Sequence, residues 1–414
     1  VATADFDENE PLAWLPEEWE RFVASKGERP YRALQVFRWI HARGVADPAK
    51  MSDLGKSLRS VIEQAGLSMP ATVDLLHRSD DGTKKALLRF TRGGTVETVL
   101  IPPLAQDDSD RDELREADEE ERSTGGAESG LRPAARRVTQ CISSQVGCAM
   151  GCTFCASGVA GLKRNMTAGE IVSQVLIGRG HLEPDEALRN VVFMGMGEPL
   201  HNYGNVERAL RLLLHKEGSN LSSRRVTVST SGLVPELDRL GKEFSGQVAL
   251  AVSLHAPDDA LRSELMPINK RYPLKDLMAA LERYPLAPRR RITIEYTLIH
   301  GVNDSDAHAR ALVKLLRRIR CKVNLIPMNP VAATPFEMST AERVDAFQSI
   351  LWRDGMSVFV RRQRGDDIAA ACGQLALGGE LAKKRKLPMA SESALDPRGV
   401  AAEATTTESS RSDG

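Results

Sequence analysis

The sequence predicts an α/β fold, an open or partial barrel of parallel strands preceded by a small helical domain and a β-hairpin. Three observations carry that prediction. Between residues 138 and 378, six or seven short apolar strand segments alternate with helical segments, the pattern of repeated βα crossovers. Ahead of them, the apolar spacing is helical to about residue 70 and then becomes two-fold. The 414 residues are 42% hydrophobic, which suits a sizeable core. No apolar run reaches the roughly 18 residues of a transmembrane helix.

The acidic start, Val1 to Glu10, has no apolar h-region, so no secretory signal is expected and the protein is expected in the cytoplasm, with no membrane partner. Helical spacing follows over Glu17–Ala24, over Arg32–Arg43 (Leu34, Val36, Phe37, Trp39, Ile40) and over Ser52–Gly66 (Leu54, Leu58, Val61, Ile62). These make a helical domain over 11–70. Lys85–Thr91 and Thr95–Ile101 alternate in polarity around Gly93-Gly94, a hairpin extension over 71–104. An insertion over 105–137 is charged and almost free of large apolar residues, so disorder is expected. The barrel over 138–378 has strands at Val138–Ile142, Asn190–Met196, Arg225–Ser229, Val248–Ser253, Arg291–Leu298, Lys322–Met328 and Ser357–Arg361. Helices are expected at Ala168–Arg179, Tyr203–His215, Pro235–Leu240, Pro273–Glu282, Asp304–Arg318 and Thr340–Asp354. The tail over 379–414, with the basic run Lys383–Lys386, reads as disordered.

Lysine plus arginine and aspartate plus glutamate both number 56, but the balance is an average over unlike segments. Gln106–Arg122 holds ten acids and three bases, which leaves 53 basic and 46 acidic residues elsewhere, a net of +7. A moderately basic globular part permits a polyanionic partner without requiring one. Arg224-Arg225, Arg289–Arg291, Arg317-Arg318 with Arg320, and Arg361-Arg362 with Arg364 are the basic clusters. Each alone reads as a solvated face; together they could track phosphates.

Six cysteines are too few for a disulfide scaffold in a chain of this length, and clustered cysteines in a reducing compartment point to metal or catalysis. Cys148, Cys152 and Cys155 fall within eight residues, in a loop after the first barrel strand. Thiolates bind zinc or iron–sulfur clusters. Structural zinc takes four protein ligands, and no second cysteine pair or nearby histidine completes such a set. A [4Fe–4S] cluster on three thiolates leaves one iron open to a substrate. Spacing alone leaves both metals possible. Cys141 and Cys372, taken alone, read as ordinary buried thiols, and Cys321 as a structural thiol at the start of a strand.

Cys148-x3-Cys152-x2-Cys155, with Phe154 before the last cysteine, resembles the radical S-adenosylmethionine (SAM) signature. Further motifs resemble the RlmN/Cfr branch of that superfamily, and the RlmN family of adenine methyltransferases most of all. They are Cys141-Ile-Ser-Ser-Gln-Val-Gly-Cys148, Met194-Gly-Met-Gly-Glu-Pro-Leu200, Ser229-Thr-Ser-Gly232, Ser253-Leu-His-Ala256, Ile326-Pro-Met-Asn-Pro330 and Arg364–Leu375. They stand in order from the helical domain to about Leu375, and the acidic insertion and the tail depart from the family pattern without interrupting any of them.

The resemblance implies a partial (β/α)6 radical-SAM barrel. It implies one [4Fe–4S] cluster on Cys148, Cys152 and Cys155, and two SAM molecules per turnover. It implies methylation of carbon 2 of adenosine in 23S rRNA and in tRNA, with the helical domain aiding RNA binding. Carbon 2 lies between two ring nitrogens and is a poor nucleophile, so a carbon radical is the chemically apt route. The resemblance assigns Cys372 as methyl carrier, Cys141 as the thiol that releases product by forming a disulfide with Cys372, and Glu97 as acceptor of the carbon-2 proton. It assigns Gly197, Glu198, Ser229, Ser253, Leu254, His255 and Asn329 to the SAM pocket. A reductant for the cluster, a thiol reductant for the disulfide and a monomeric enzyme complete the expectation. A Cfr-like enzyme acting on carbon 8, and an iron–sulfur RNA-binding protein without turnover, are the alternatives. Cys141 and Cys372 together count against the second, since binding alone needs neither.

Overall fold

The computed structural model describes residues 9–103, 135–331 and 334–375. The acidic stretch Gln106–Arg122 and the basic run Lys383–Lys386 lie outside the described residues.

Three helices open the chain: α1 (Pro16–Ser25), α2 (Tyr31–Phe37), whose end widens into a π turn at Arg38–Ala42, and α3 (Lys56–Gln64). Trp19, Val23, Val36, Phe37, Ile40, Leu58 and Ile62 are fully or almost fully buried, so the helical spacing in the sequence is the spacing of a core. Two acids fasten this region to the rest. Glu18 grips Arg208 through two hydrogen bonds of 2.9 Å. Glu10 accepts from the Thr167 hydroxyl and the Gly169 N–H at the N-terminus of the helix Ala168–Arg179, where a carboxylate meets unpaired N–H groups and the positive end of the helix dipole.

A ten-stranded sheet forms the centre, in the order β1 (Ala71–Arg78), β2 (Lys84–Phe90), β3 (Thr95–Ile101), β4 (Arg136–Cys141), β7 (Glu186–Phe193), β8 (Val226–Thr230), β9 (Ala249–Ser253), β10 (Ile292–Leu298), β11 (Cys321–Pro327) and β12 (Val358–Val360). The short β5 (Gln145–Val146) and β6 (Arg164–Asn165) pair separately. From β4 to β12 every pairing is parallel, and six helical crossovers join the seven strands. This is the expected six-fold partial barrel. It stays open because β1 and β12 are both edge strands.

Four features differ from expectation. The hairpin is a three-stranded antiparallel meander, since Ala71–Arg78 also pairs with β2, and it continues the barrel sheet because β3 pairs with β4. Arg136 and Arg137, expected at the end of the insertion, are strand residues facing β7. The strand expected over Asn190–Met196 stops at Phe193; the glycines after it form a turn. Two short helices, Ala156–Ala160 and Asp259–Leu265, have too few residues to display a helical period. The first is held close to the cysteine loop, where a Cβ at Gly158 would lie 2.6 Å from the Cys152 carbonyl oxygen.

Candidate active site

Register decides what faces the barrel interior. Directly opposed residues in neighbouring strands share a face, and alternate residues return to it. Val99 opposes Cys141, Lys85 opposes Val99, and Leu87 opposes Glu97. Glu97, Lys85 and Cys141 therefore share one face, together with Ile101 and Thr139. Ile101 and Thr139 of that face line a cavity of about 510 Å³ in the barrel, together with Asn190, Thr227, Thr293, Asn324 and Cys372, while Glu97, Lys85 and Cys141 lie further along the face. Glu97 is thus not the solvent-facing strand acid its neighbours in sequence suggest. Its Oε1 lies 3.0 Å from the Lys85 ammonium, with both side chains largely buried. The long insertion does not part Glu97 from Cys141, because β3 and β4 are paired.

Cys141 is buried at the end of β4. Burial pushes its thiol up to about 12, the nearby Cys372 adds to the rise, and Arg361 opposes it. Cys372 is exposed, unlike the buried loop thiol it reads as when taken apart from the motifs. It sits in the segment after β12, near enough to Cys141 for the two to interact electrostatically. Its carbonyl accepts from Asn329 Nδ2 at 2.8 Å, while Asn329 Oδ1 accepts from Gln363. Asn329 lines the cavity, and its amide also holds the Cys372 segment.

Cys148, Cys152 and Cys155 are half-buried. Burial raises all three thiols, Cys148 up to about 12, and their mutual proximity adds to the rise for each of them except Cys155, where Cys372 contributes. Backbone N–H groups of Met150 and Gly197 favour the Cys148 thiolate, those of Gly158 and Ser157 favour the Cys155 thiolate, and the Arg262 guanidinium favours that of Cys152. Three buried thiols with prepared donors fit a cationic thiolate-ligated cluster, because coordination deprotonates a thiol outright. Among the described residues no set of three or more His, Cys, Asp or Glu side chains stands ready to hold a single metal ion.

The strand-end residues gather around this loop. Glu198 is buried, and burial raises its carboxyl; its oxygens accept from the Leu200 and Ser231 N–H groups. Gly195 and Gly197 permit close approach, but to the 142–145 backbone: added Cβ atoms would stand 2.7 Å from the Ile142 oxygen and 2.6 Å from the Gln145 Cβ. Ser229 and Ser253 end β8 and β9 on the inner face, and Leu254 is buried. His255 has a left-handed backbone (φ 57). Its Nδ1 accepts from the Thr297 N–H, which places the ring proton on Nε2. Burial holds this imidazole down at about 3, and Arg262 adds to the effect, so it is neutral. The Phe154 ring meets it edge-on at 4.9 Å.

Arg262 is a residue of the site's framework that the sequence reading missed. It is fully buried and donates to the carbonyls of Leu254, Ser231 and Ser253 and to Asn269. Thus one guanidinium ties the ends of β8 and β9 together beneath the cluster loop. Lys85 was missed too, although its diagonal placement from Glu97 across a recognised hairpin was a usable signal. Of the basic clusters, Arg224-Arg225, Arg289–Arg291 and Arg361, Arg362 and Arg364 line the cavity. Arg320 instead donates to the Leu286 and Ala287 carbonyls.

Comparison with known proteins agrees with this geometry. Residues 142–313 match the model of the radical SAM superfamily, and residues 14–66 match the ribosomal RNA large subunit methyltransferase N-terminal domain. The chain is similar to the dual-specificity RNA methyltransferase RlmN of Sorangium cellulosum, 58% identical over 91% of this chain and 97% of that protein. It is 46% identical to the RlmN of Syntrophotalea carbinolica, over 87% of each chain. A radical SAM methyltransferase from Sphaerobacter thermophilus has the same fold, with a TM-score of 0.77 and 44% identity over 88% of this chain and 98% of that one.

Proposed function

The chain belongs to the RlmN family of radical SAM RNA methyltransferases, and from that premise we propose that it methylates carbon 2 of adenosine in 23S rRNA, at the peptidyl-transferase centre, and in tRNA, 3′ of the anticodon. The superfamily implies SAM and a [4Fe–4S] cluster as cofactors. When bound, they supply the methyl group and, by one-electron cleavage, a carbon radical. Cys148, Cys152 and Cys155 hold the cluster, and Glu198 with the strand-end residues Gly197, Ser229, Ser253, Leu254, His255 and Asn329 orients SAM.

The observation that supports the rest is the shared inner face. Cys372 borders the cavity, Cys141 lies beside it, and Glu97 stands two residues from the position opposed to Cys141. Cys372 carries the methyl carbon to the base. Glu97 takes the proton that carbon 2 must lose. Cys141 as thiolate attacks the Cys372 sulfur, and the S–S bond that forms replaces the S–C bond and frees the RNA. The electron pair of the S–C bond leaves with the methylene carbon of the deprotonated adenine adduct and takes up a proton to complete the methyl group. A thiol reductant reopens the disulfide. The adenine must leave its stack to enter a cavity of this size, so a loop or flipped base is the substrate. A one-electron donor for the cluster, a monomeric state and a cytoplasmic location belong to the same reading. Among the described residues no helix is long and apolar enough to cross a membrane.

The test is nucleoside mass analysis of rRNA and tRNA after incubation with reduced enzyme and SAM, separating the 2-methyl from the 8-methyl isomer. 2-Methyladenosine in both RNAs is expected. The 8-methyl isomer would mark a Cfr-like enzyme, and no methylated base would mark a binding protein.

A further inference from the structure

Lys85 has no part in the chemistry described so far, yet its position is unusual. It lies in β2 with its side chain 10% exposed. A lysine is rarely buried without a reason, because its ammonium loses hydration. Its Nζ lies 3.0 Å from Glu97 Oε1 and donates to the carbonyl of Ala369, also at 3.0 Å. Ala369 belongs to the Cys372 segment and adopts a left-handed backbone (φ 50), a conformation that non-glycine residues hold only when their surroundings enforce it.

The rest of the segment is fastened to the same corner of the meander. Ser79 donates to Asp367 at 2.6 Å, and the Gly365 N–H donates to Asp81 at 3.0 Å. The turn between β1 and β2 thus closes the open side of the barrel against the segment after β12. Among these contacts, that of Lys85 also reaches Glu97, an acid placed in the chemistry.

We propose that Lys85 is a positioning residue that locks the Glu97 carboxylate to the backbone of the Cys372 segment, so that proton acceptor and methyl carrier address the same base in fixed relation. The proposal rests on the roles assigned above to Glu97 and Cys372. Both contacts come from one ammonium, so losing it removes one tie on the carboxylate and one tie on the segment together. A displacement of about 1 Å at a reacting group costs roughly 100-fold in rate.

The test uses the full-length enzyme with its cluster and compares Lys85→Met, Lys85→Arg and Glu97→Gln. RNA methylation, RNA covalently retained on the protein in denaturing gels, and iodoacetamide labelling of Cys372 without SAM are measured. With Lys85→Met, turnover should fall roughly 100-fold. RNA joined to the protein should accumulate although Cys141 is intact, because the carbon-2 proton stays on. Cys372 labelling should rise measurably above the already accessible wild-type level as the segment loosens. Lys85→Arg, which keeps a cation in reach, should recover most of the turnover. Lys85→Gln gives the same readings where Lys85→Met does not fold. If Glu97→Gln accumulates the adduct while the Lys85 variants turn over normally, or lose turnover without adduct or faster labelling, the positioning role is overturned and Glu97 keeps its own. If Glu97→Gln turns over normally, the acceptor role itself fails, and the role of Lys85 fails with it.

Discussion

Cys148, Cys152 and Cys155 share one loop after β4, whereas Cys141 ends that strand and Cys372 arrives from the segment after β12. The first set is a product of local chain geometry: spacing sets which thiols can meet, and a glycine at position 158 lets the following helix close on the loop. The second is a product of topology. Cys141 is placed by strand register, and Cys372 by contacts with β2, the β1–β2 turn and Asn329. The two sets should therefore respond differently to perturbation.

The largest effects are expected in the loop. Replacing Cys148, Cys152 or Cys155 by alanine should abolish both the cluster absorbance of anaerobically purified protein and RNA methylation. Cys372→Ala should also abolish methylation but keep the cluster absorbance. An intact cluster after any loop substitution would end the distinction between the two sets.

Arg262→Met should sharpen it. The substitution leaves several buried carbonyls without their donor, at about 1–3 kcal/mol each, so the melting temperature should drop clearly and SAM binding should weaken. Equal melting temperatures would mean that the strand ends do not depend on this guanidinium.

The thiol pair differs internally as well. Burial raises Cys141 from an ordinary 9.0 to about 12, so the protonated form is favoured and the reactive thiolate appears only as pH rises toward that value. At pH 8 its thiolate fraction should be about a thousandfold below that of an ordinary thiol. Mass-spectrometric alkylation should therefore mark exposed Cys372 well before Cys141, with Cys141 labelling growing steadily above pH 9. Equal labelling at pH 8 would contradict the buried placement.

The smallest effect is expected from the insertion. Ile101 of β3 opposes Thr139 of β4 in an antiparallel pair, and such a pair needs only a short connection. Replacing residues 106–134 by a brief Gly/Ser linker should leave cluster and methylation unchanged; a large loss of turnover in folded protein would show a contact with RNA or the site.

The same contrast explains what was legible in the sequence. The six-fold alternation, the helical domain and the cluster loop were legible because each rests on periodicity or spacing within a few residues. The tenth strand and the continuity of meander and barrel were not, because β1 shows its pairing only through β2 and β3. Glu97 and Cys372 were reached through resemblance. The Lys85 partner of Glu97 could have been read from the hairpin diagonal, whereas the Cys372 segment is held partly by residues of β2 and the β1–β2 turn 284 residues away, which no local pattern reveals. Arg262 was invisible because its short helix has no period and its partners are backbone carbonyls, which carry no residue signature. Asn329 was reached through the motif and lines the cavity, but its hold on the Cys372 segment was not legible in the sequence.

The central claim is that a carrier thiol and a resolving thiol have separate roles, and Cys141→Ala tests it most directly. Carriage on Cys372 and joining to the RNA should survive that substitution, while release should not. The purified variant should carry RNA bound through Cys372, seen as a nuclease-sensitive shift on a denaturing gel and as a nucleotide-bearing Cys372 peptide in the mass spectrum. A Cys141→Ala protein that is free of RNA and still methylates adenosine would contradict the claim.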